Sequence, residues 1–518
     1  MKMKRNKYII ILFSIIALFS TSSCNDWLNV NPSGTITENA LLDDGEGYRV
    51  LLNGIYKEAT SSSLYGRELT WGLMSAMSLD YGMDDGWNDL GMDENCNYGK
   101  ACFSYDYEDE AVKSFFENIW EQAYFVIANC NELIGNIRTE PTSKFVLGKL
   151  EQDLILGEAL AMRALMHYEI LKLYAPAPIT GDNGKYIPYF IKEELSTVGE
   201  YHTTQEILDL IIDDLKEAEG LIKPFDTLCE ARIELLNGTH RFKHLAGAKV
   251  EELDGHEDVF FWYRGYRLNY ITVRGLLASV YNYKGGESLK IAAEIADSVI
   301  NISFEEYPNP IWSFEKTSSA GWWDPGTYNI RRPNDLMFAV SEPQILEKYR
   351  PFSEYMGSRY GLDVYLGLTA ELTDLVNEGG KDNRAKIFEK IKSSNLLRSK
   401  MYVTSTSSED SYIIPILRYS EMYFIVAEYQ ASIGDYTAAS QMLDKIRIAR
   451  GNVQGYFDGV IVDQSTFVDE MIKEVRRETF AEGKAFYYYK KFNKLISSTM
   501  EPEDFVFEKP LSETSFGN

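Results

Sequence analysis

Basic charge, histidine, cysteine and long apolar runs are all scarce in this chain of 518 residues. Lysine and arginine total 52 against 78 aspartates and glutamates, a net charge of -26. Such a surplus repels phosphate backbones and anionic lipid surfaces, which argues against nucleic-acid binding. The five histidines, His167, His202, His240, His244 and His256, form no HExxH pair, which argues against zinc. Cys96, Cys102, Cys130 and Cys229 show no metal-ligand spacing, and a bridge between Cys96 and Cys102 is left open. There is no GxSxG elbow, no Walker A loop and no dinucleotide fingerprint. Glycoside hydrolysis needs two carboxylates at a set separation. With 78 acidic residues candidate pairs are guaranteed, so their presence decides nothing.

What is present begins at the N-terminus. Lys2, Lys4, Arg5 and Lys7 precede a mostly apolar stretch, residues 8–19, followed by small residues and Cys24. This is the pattern of a secretory signal. Twelve residues rise only about 18 Å as a helix, short of the ~30 Å hydrocarbon core, so a permanent span is the weaker reading. Cys24, directly after Thr21-Ser22-Ser23, resembles the acylated cysteine of bacterial lipoproteins. The expectation is a signal peptide over residues 1–23 and a lipid anchor on Cys24. A single water-facing body, residues 24–518, then follows, with no cofactor implied.

Apolar spacing through that body is helical. Val273, Leu276, Leu277 and Val280 follow three-four spacing; after Lys284-Gly285-Gly286 come Leu289, Ala292, Ala293, Ala296 and Ile300 on one face. The design returns at Leu417, Phe424, Ala427 and Ala431, a Gly434-Asp435 turn, then Ala439, Met442, Leu443 and Ile446. Further helices are predicted over 45–59, 115–137, 157–174 and 205–221. The fold class is therefore mainly α, built of helical hairpins like tetratricopeptide repeats. Large irregular insertions at about 80–108, 223–264 and 301–412 interrupt it. Those loops are where function is expected. The short run 336–340 reads as part of a small β-hairpin.

The order of these pieces resembles the SusD/RagB family of outer-membrane nutrient-binding lipoproteins. The resemblance is carried by Cys24-Asn25-Asp26-Trp27-Leu28, by Trp120 and Tyr124 before Asn131, by Gly157-Glu158-Ala159 with Arg163-Ala164, and by Ile212-Asp213-Asp214-Leu215. It continues through Asp382-Asn383-Arg384, Leu417-Arg418-Tyr419 to Ala427-Glu428, and Glu474-Val475-Arg476-Arg477-Glu478 before Glu482-Gly483. It implies a surface lipoprotein, facing the cell exterior, that binds glycan and passes it to a SusC-like TonB-dependent β-barrel, and that is not an enzyme. Peptide cargo of the RagB type is the alternative, with hydrolase action less favoured. The sequence departs from the family's pattern after Gly483, where it reads Lys484-Ala485-Phe486-Tyr487-Tyr488-Tyr489-Lys490. Glu158, Arg163, Glu428, Glu474, Arg477 and Glu478 are expected to brace helices rather than to bind ligand.

Pyranose rings present apolar C–H faces ringed by hydroxyls, so recognition calls for flat aromatics beside polar side chains. Two windows qualify. The first holds Trp71, Asp80, Tyr81, Trp87 and Asn88; the second holds Trp312, Trp322, Trp323, Asp324, Tyr328 and Arg331. Of these, Asp80, Trp87, Asn88, Trp312, Trp322, Trp323 and Tyr328 are the candidate ligand contacts. The acidic run Asp80, Asp84, Asp85, Asp89, Asp93 and Glu94 does not fit an EF-hand, because Gly82 falls where that loop wants Asp or Asn. A solvated acidic loop is the expectation there, and no metal is assigned.

Overall fold

The computed structural model describes residues 42–82, 96–191, 199–242, 258–305, 311–314, 331–353, 375, 382–390, 397–399, 412–510 and 513. The chain divides into two compact units, Met1–Tyr48 and Arg49–Asn518. Of the first unit the described part is residues 42–48, so the expected signal peptide and Cys24 lie outside the described residues. Among the described residues no helix is long and apolar enough to cross a membrane.

The fold is mainly helical. After α1 (Gly45–Ala59) come α2 (Glu110–Ile137), α3 (Lys149–Tyr174), α4 (Thr204–Asp226), α5 (Tyr270–Lys284) and α6 (Ser288–Ile300), and later α7 (Tyr419–Ser432), α8 (Tyr436–Ala449), α9 (Gln464–Glu478) and α10 (Ala485–Lys491). From α2 to α8 each of these helices packs on the next. This is the hairpin stack that the spacing predicted. Helix α3 is buried on almost every side, from Leu154 through Tyr174, and so is most of α7. A helix buried all round sits inside, its few charged residues paired there, and these two form the spine against which the amphipathic helices lay their apolar faces.

Local signals set the ends. Thr203 caps α4 in a reciprocal box with Glu206, and Asn269 and Asp435 cap α5 and α8 by accepting from the backbone N–H of Thr272 and Ala438, each at 2.9 Å. Close approach needs a missing side chain at Gly157: a Cβ there would stand 2.6 Å from Ile222 Cγ1 and 3.1 Å from Leu221 Cβ. That is why the α3 motif opens on glycine where it crosses α4.

Three two-stranded antiparallel ribbons complete the described structure: β1 (Lys185–Pro188) with β2 (Tyr201–Thr203), β3 (Leu336–Ser341) with β6 (Ile413–Arg418), and β4 (Phe388–Lys390) with β5 (Leu397–Ser399). The strand expected at 336–340 exists, but its partner is not the other arm of a local hairpin. Leu336 pairs with Arg418 and Ser341 with Ile413, so the pairing spans the whole third insertion. Both strands are buried, except at Ser341. The insertions are also less irregular than their composition suggests. Helix α4 runs on to Asp226, and short helical turns occupy Asn97–Gly99, Glu230–Glu234 and Gly238–Phe242. Cys96 and Cys102 are buried thiols that do not bridge each other; Cys96 Sγ accepts from Gly99 N–H at 3.2 Å.

Candidate ligand-binding surface

The charged residues carrying the family pattern are inside the protein. Glu478, at the end of α9, accepts from Arg332 Nη1 at 2.7 Å and from Arg384 Nη1 at 3.1 Å, and it pairs with Arg450 as well. Arg450 also reaches Asp335 at 2.6 Å, while Arg384 binds Asp382 at 2.6 Å and Glu474 at 2.7 Å. Glu474 in turn holds Arg477 at 2.9 Å and Arg447 at 3.3 Å. None of these side chains is more than 1 % exposed. Burial would raise the Glu478 carboxyl, but Arg332, Arg450 and Arg384 outweigh it and hold the group well below the usual carboxylate range. Glu474 is likewise held low by Arg384, Arg477 and Arg447 against its burial.

Two smaller clusters lie among the repeats. Arg163 forks onto Asp214 at 2.8 and 2.7 Å and donates to Asn131 Oδ1 at 2.8 Å, joining α2, α3 and α4. Beside it His167 is a satisfied core histidine: Phe190 N–H donates to its Nε2 at 3.1 Å, Nδ1 lies 2.9 Å from Arg163 O, and burial lowers it to about 3. The divergent stretch after Gly483 is also packed inward. Tyr487 and Lys490 of α10 are buried, and Lys490 donates to the carbonyls of Lys172 and Phe505 at 2.7 and 2.6 Å.

The described start of the first window and the described end of the second meet one segment of this frame. At the root of the first, Trp71 is wholly buried, with its indole N–H donating to Gly66 O at 3.1 Å and its ring edge-on to Tyr349 at 5.0 Å. The Tyr81 hydroxyl donates to Trp71 O at 2.6 Å. Asp80 is 2 % exposed and accepts from Ala481 N–H at 3.4 Å. Burial pushes its carboxyl up to about 7 against the pull of Arg476. Arg476 also donates to Leu79 O at 3.3 Å, and Gly483 N–H donates to Ser75 Oγ at 3.1 Å. A Cβ on Gly483 would stand 2.4 Å from Leu69 O, and φ there is +68°, so only glycine lets this root close onto the end of α9.

The end of the second window reaches the same segment. Arg332 donates to Glu478 O at 2.5 Å, and Arg418 donates to Arg331 O at 3.3 Å while it binds Glu482 at 2.7 Å. Residues 476–483 therefore tie down the start of the first window and the end of the second.

Two of the expected contacts are corrected by this geometry. Asp80 is enclosed at the root of its loop and offers no carboxylate to a surface ligand. Trp312 is 9 % exposed, stacked on Tyr419 at 4.3 Å and 9°, with its N–H donating to Ile300 O at 3.2 Å. Its faces are used in packing. Sequence reasoning grouped root and tip residues because their composition is alike. The separating signal was adjacency: Asp80 follows the apolar run 73–79, and Trp312 follows Ile311. Trp87, Asn88, Trp322, Trp323 and Tyr328 lie outside the described residues, as does most of the acidic run. Among the described residues no group of three or more His, Cys, Asp or Glu is placed to hold a metal ion.

One partly open pocket among the described residues is too small for a glycan. It measures about 70 Å³ and is lined by Tyr168, Glu169, Lys172, Lys484, Tyr487 and Lys491 among others, room for a few waters. Its lysines are already engaged, Lys172 with Glu169 at 2.8 Å and Lys491 with Glu428.

Comparison with known proteins agrees with this geometry. Residues 376–495 match the model of the SusD family, and residues 73–225 match a family described as starch-binding associating with outer membrane. SusD-like protein P38 of Formosa agariphila is 22 % identical over 95 % of this chain and 93 % of its own. SusD-like protein P25 of the same organism is 23 % identical, but the match covers only 40 % of this chain and 37 % of that protein. Among solved structures, a SusD superfamily protein from Bacteroides thetaiotaomicron superposes with a TM-score of 0.64 at 20 % identity, covering 91 % of this chain and 97 % of the other. A protein titled putative sugar binding protein, from Bacteroides vulgatus, gives 0.62 at 19 % identity over 91 % and 96 %.

Proposed function

We propose, on the premise that this chain belongs to the SusD family, that it captures glycan at the cell surface and hands it to a SusC-like TonB-dependent outer-membrane transporter. In this reading the chain is held to the outer membrane by lipid on Cys24, faces the exterior and catalyses nothing. The observation that carries the reading is the shared anchorage of the two aromatic windows: their roots are fixed to one segment, 476–483, by Asp80, Arg476, Arg332 and Arg418. Loops rooted together on a rigid frame present their tips as one surface, and a binding surface needs its rings held in register. The tips would supply Trp87, Trp322, Trp323 and Tyr328 as stacking faces and Asn88 as a hydroxyl partner. The starch-binding description of the matched family and the sugar-binding title of a structural neighbour lie in the same direction.

Affinity on a shallow wet surface is modest for one short sugar and grows along a polymer that touches it repeatedly. Trp87→Ala, Trp322→Ala and Trp323→Ala are expected to weaken retention in glycan-affinity gels about tenfold for at least one of the three, a loss of ~1.4 kcal/mol, with thermal unfolding unchanged. Retention equal to wild type in all three would remove the windows as the site. Retention of peptide but of no glycan would move the cargo to the RagB type.

A further inference from the structure

A second, larger cleft is lined by another set of described residues. It measures about 540 Å³, within the range of small-ligand sites, and opens between the C-terminal half of α1, the segment that leads into α5, and the turn that follows β3. Its apolar surface comes from Tyr56, Tyr266, Val340 and Pro343. Among the described residues of the aromatic windows, none lines it.

The charged groups in this cleft are largely spent on one another. Arg267 donates to Asn53 Oδ1, lies 3.6 Å from Glu158, and covers the rings of Tyr56 and Phe260 at 4.8 Å each. Glu342 is paired with Lys348 and accepts from Gln344 N–H at 2.9 Å. Glu58 accepts from Gln122 Nε2 at 3.1 Å, and the Thr60 hydroxyl donates to Tyr56 O at 2.8 Å. Left without a partner among the described residues are the Asn53 amide N–H, the Lys57 ammonium, the Ser341 hydroxyl and the Gln344 side-chain amide, all lining the cleft.

That remainder selects a ligand class. A phosphate or carboxylate is best held by an open guanidinium fork, and Arg267 is turned toward Asn53 and Glu158 and buried against the rings of Tyr56 and Phe260. A purely apolar ligand would bury unspent amide and hydroxyl groups without replacing their water, which is unfavourable. Two amides, a hydroxyl and one ammonium donor beside tyrosine rings match a molecule with apolar C–H faces and many hydroxyls. We propose that this cleft is a second carbohydrate-contact site, which takes a short stretch of a neutral oligosaccharide through Asn53, Lys57, Ser341 and Gln344. The proposal rests on the glycan-capture reading and adds a contact outside its windows. One polymer engaging both places is retained far more strongly than by either alone.

The test uses the full chain in a non-glycosidic detergent, titrated calorimetrically with maltohexaose, xylohexaose and cellohexaose, with hexagalacturonate and an unstructured decapeptide as the other arms. Ser341→Trp obstructs the cleft and Gln344→Ala removes an amide. Both side chains are exposed, so circular-dichroism melts should match wild type. The expected result is that wild type binds at least one neutral hexasaccharide and that each substitution raises its Kd at least fivefold. Unchanged affinity in both variants overturns the cleft and leaves the capture reading standing. Absence of binding to every neutral hexasaccharide by wild type overturns the capture reading, and the cleft with it. Tighter binding of hexagalacturonate, or displacement of sugar by the decapeptide, overturns the assignment to neutral carbohydrate.

Discussion

Glu478→Ala is expected to cost about 3–5 kcal/mol of folding stability, the range for removing one partner from a buried charge cluster. The substitution strips a carboxylate from between Arg332, Arg384 and Arg450, in a group where no side chain is more than 1 % exposed. Three guanidiniums would then share Asp335, Asp382 and Glu474. The damage should spread to function, because Arg332 is also what ties the end of the second window to α9. The pH dependence has a definite sign. Glu478 and Glu474 have folded-state values below their unfolded ones, so the stability they add is fully present above about pH 4–5, the unfolded carboxylate range, and is lost as pH falls through the folded values. Denaturant midpoints measured from pH 7 down to pH 3 should therefore fall in wild type. In Glu478→Ala they should start lower and fall less steeply in the acid limb, by about one proton's worth of slope. An unchanged midpoint at pH 7 would mean that the cluster does not brace the frame.

Arg264→Met is the second large effect, expected at about 3 kcal/mol. Arg264 is 1 % exposed, donates to Glu158 at 2.5 Å and forks onto Asp226 at 2.8 and 3.1 Å, and so joins α3 to the end of α4 just ahead of α5. Its removal leaves two buried carboxylates. Both keep part of their bonding, Glu158 from the Tyr56 hydroxyl at 2.8 Å and Asp226 from Tyr270 N–H at 2.8 Å, which places this loss below that of Glu478→Ala. Arg264→Lys should recover only part of it, since an ammonium cannot span both acids in a planar fork. Equal stability of the Lys variant and wild type would show that charge alone suffices here.

Much of the frame was legible because helices declare themselves locally. The three-four spacing through Val273, Leu276 and Val280 and the Gly434-Asp435 turn placed α5 to α8, and the span 45–59 coincides with α1. The structural role expected of Glu158, Arg163, Glu474, Arg477 and Glu478 is what their burial shows. What the sequence hid was non-local. The partner of β3 lies beyond a long insertion, and no periodicity records which distant strand completes a ribbon. Asp80 and Trp312 were misplaced for a related reason: they are enclosed by residues distant in the chain, Ala481 and Tyr419, and the apolar neighbours in sequence are only a partial mark of that.

Calorimetric titration of the wild-type chain with neutral oligosaccharides, with the cell contents then separated by anion-exchange chromatography, tests glycan capture most directly. Saturable heat with the oligosaccharide recovered intact is the expected result. Shortened products, or no heat with any glycan offered, would contradict it.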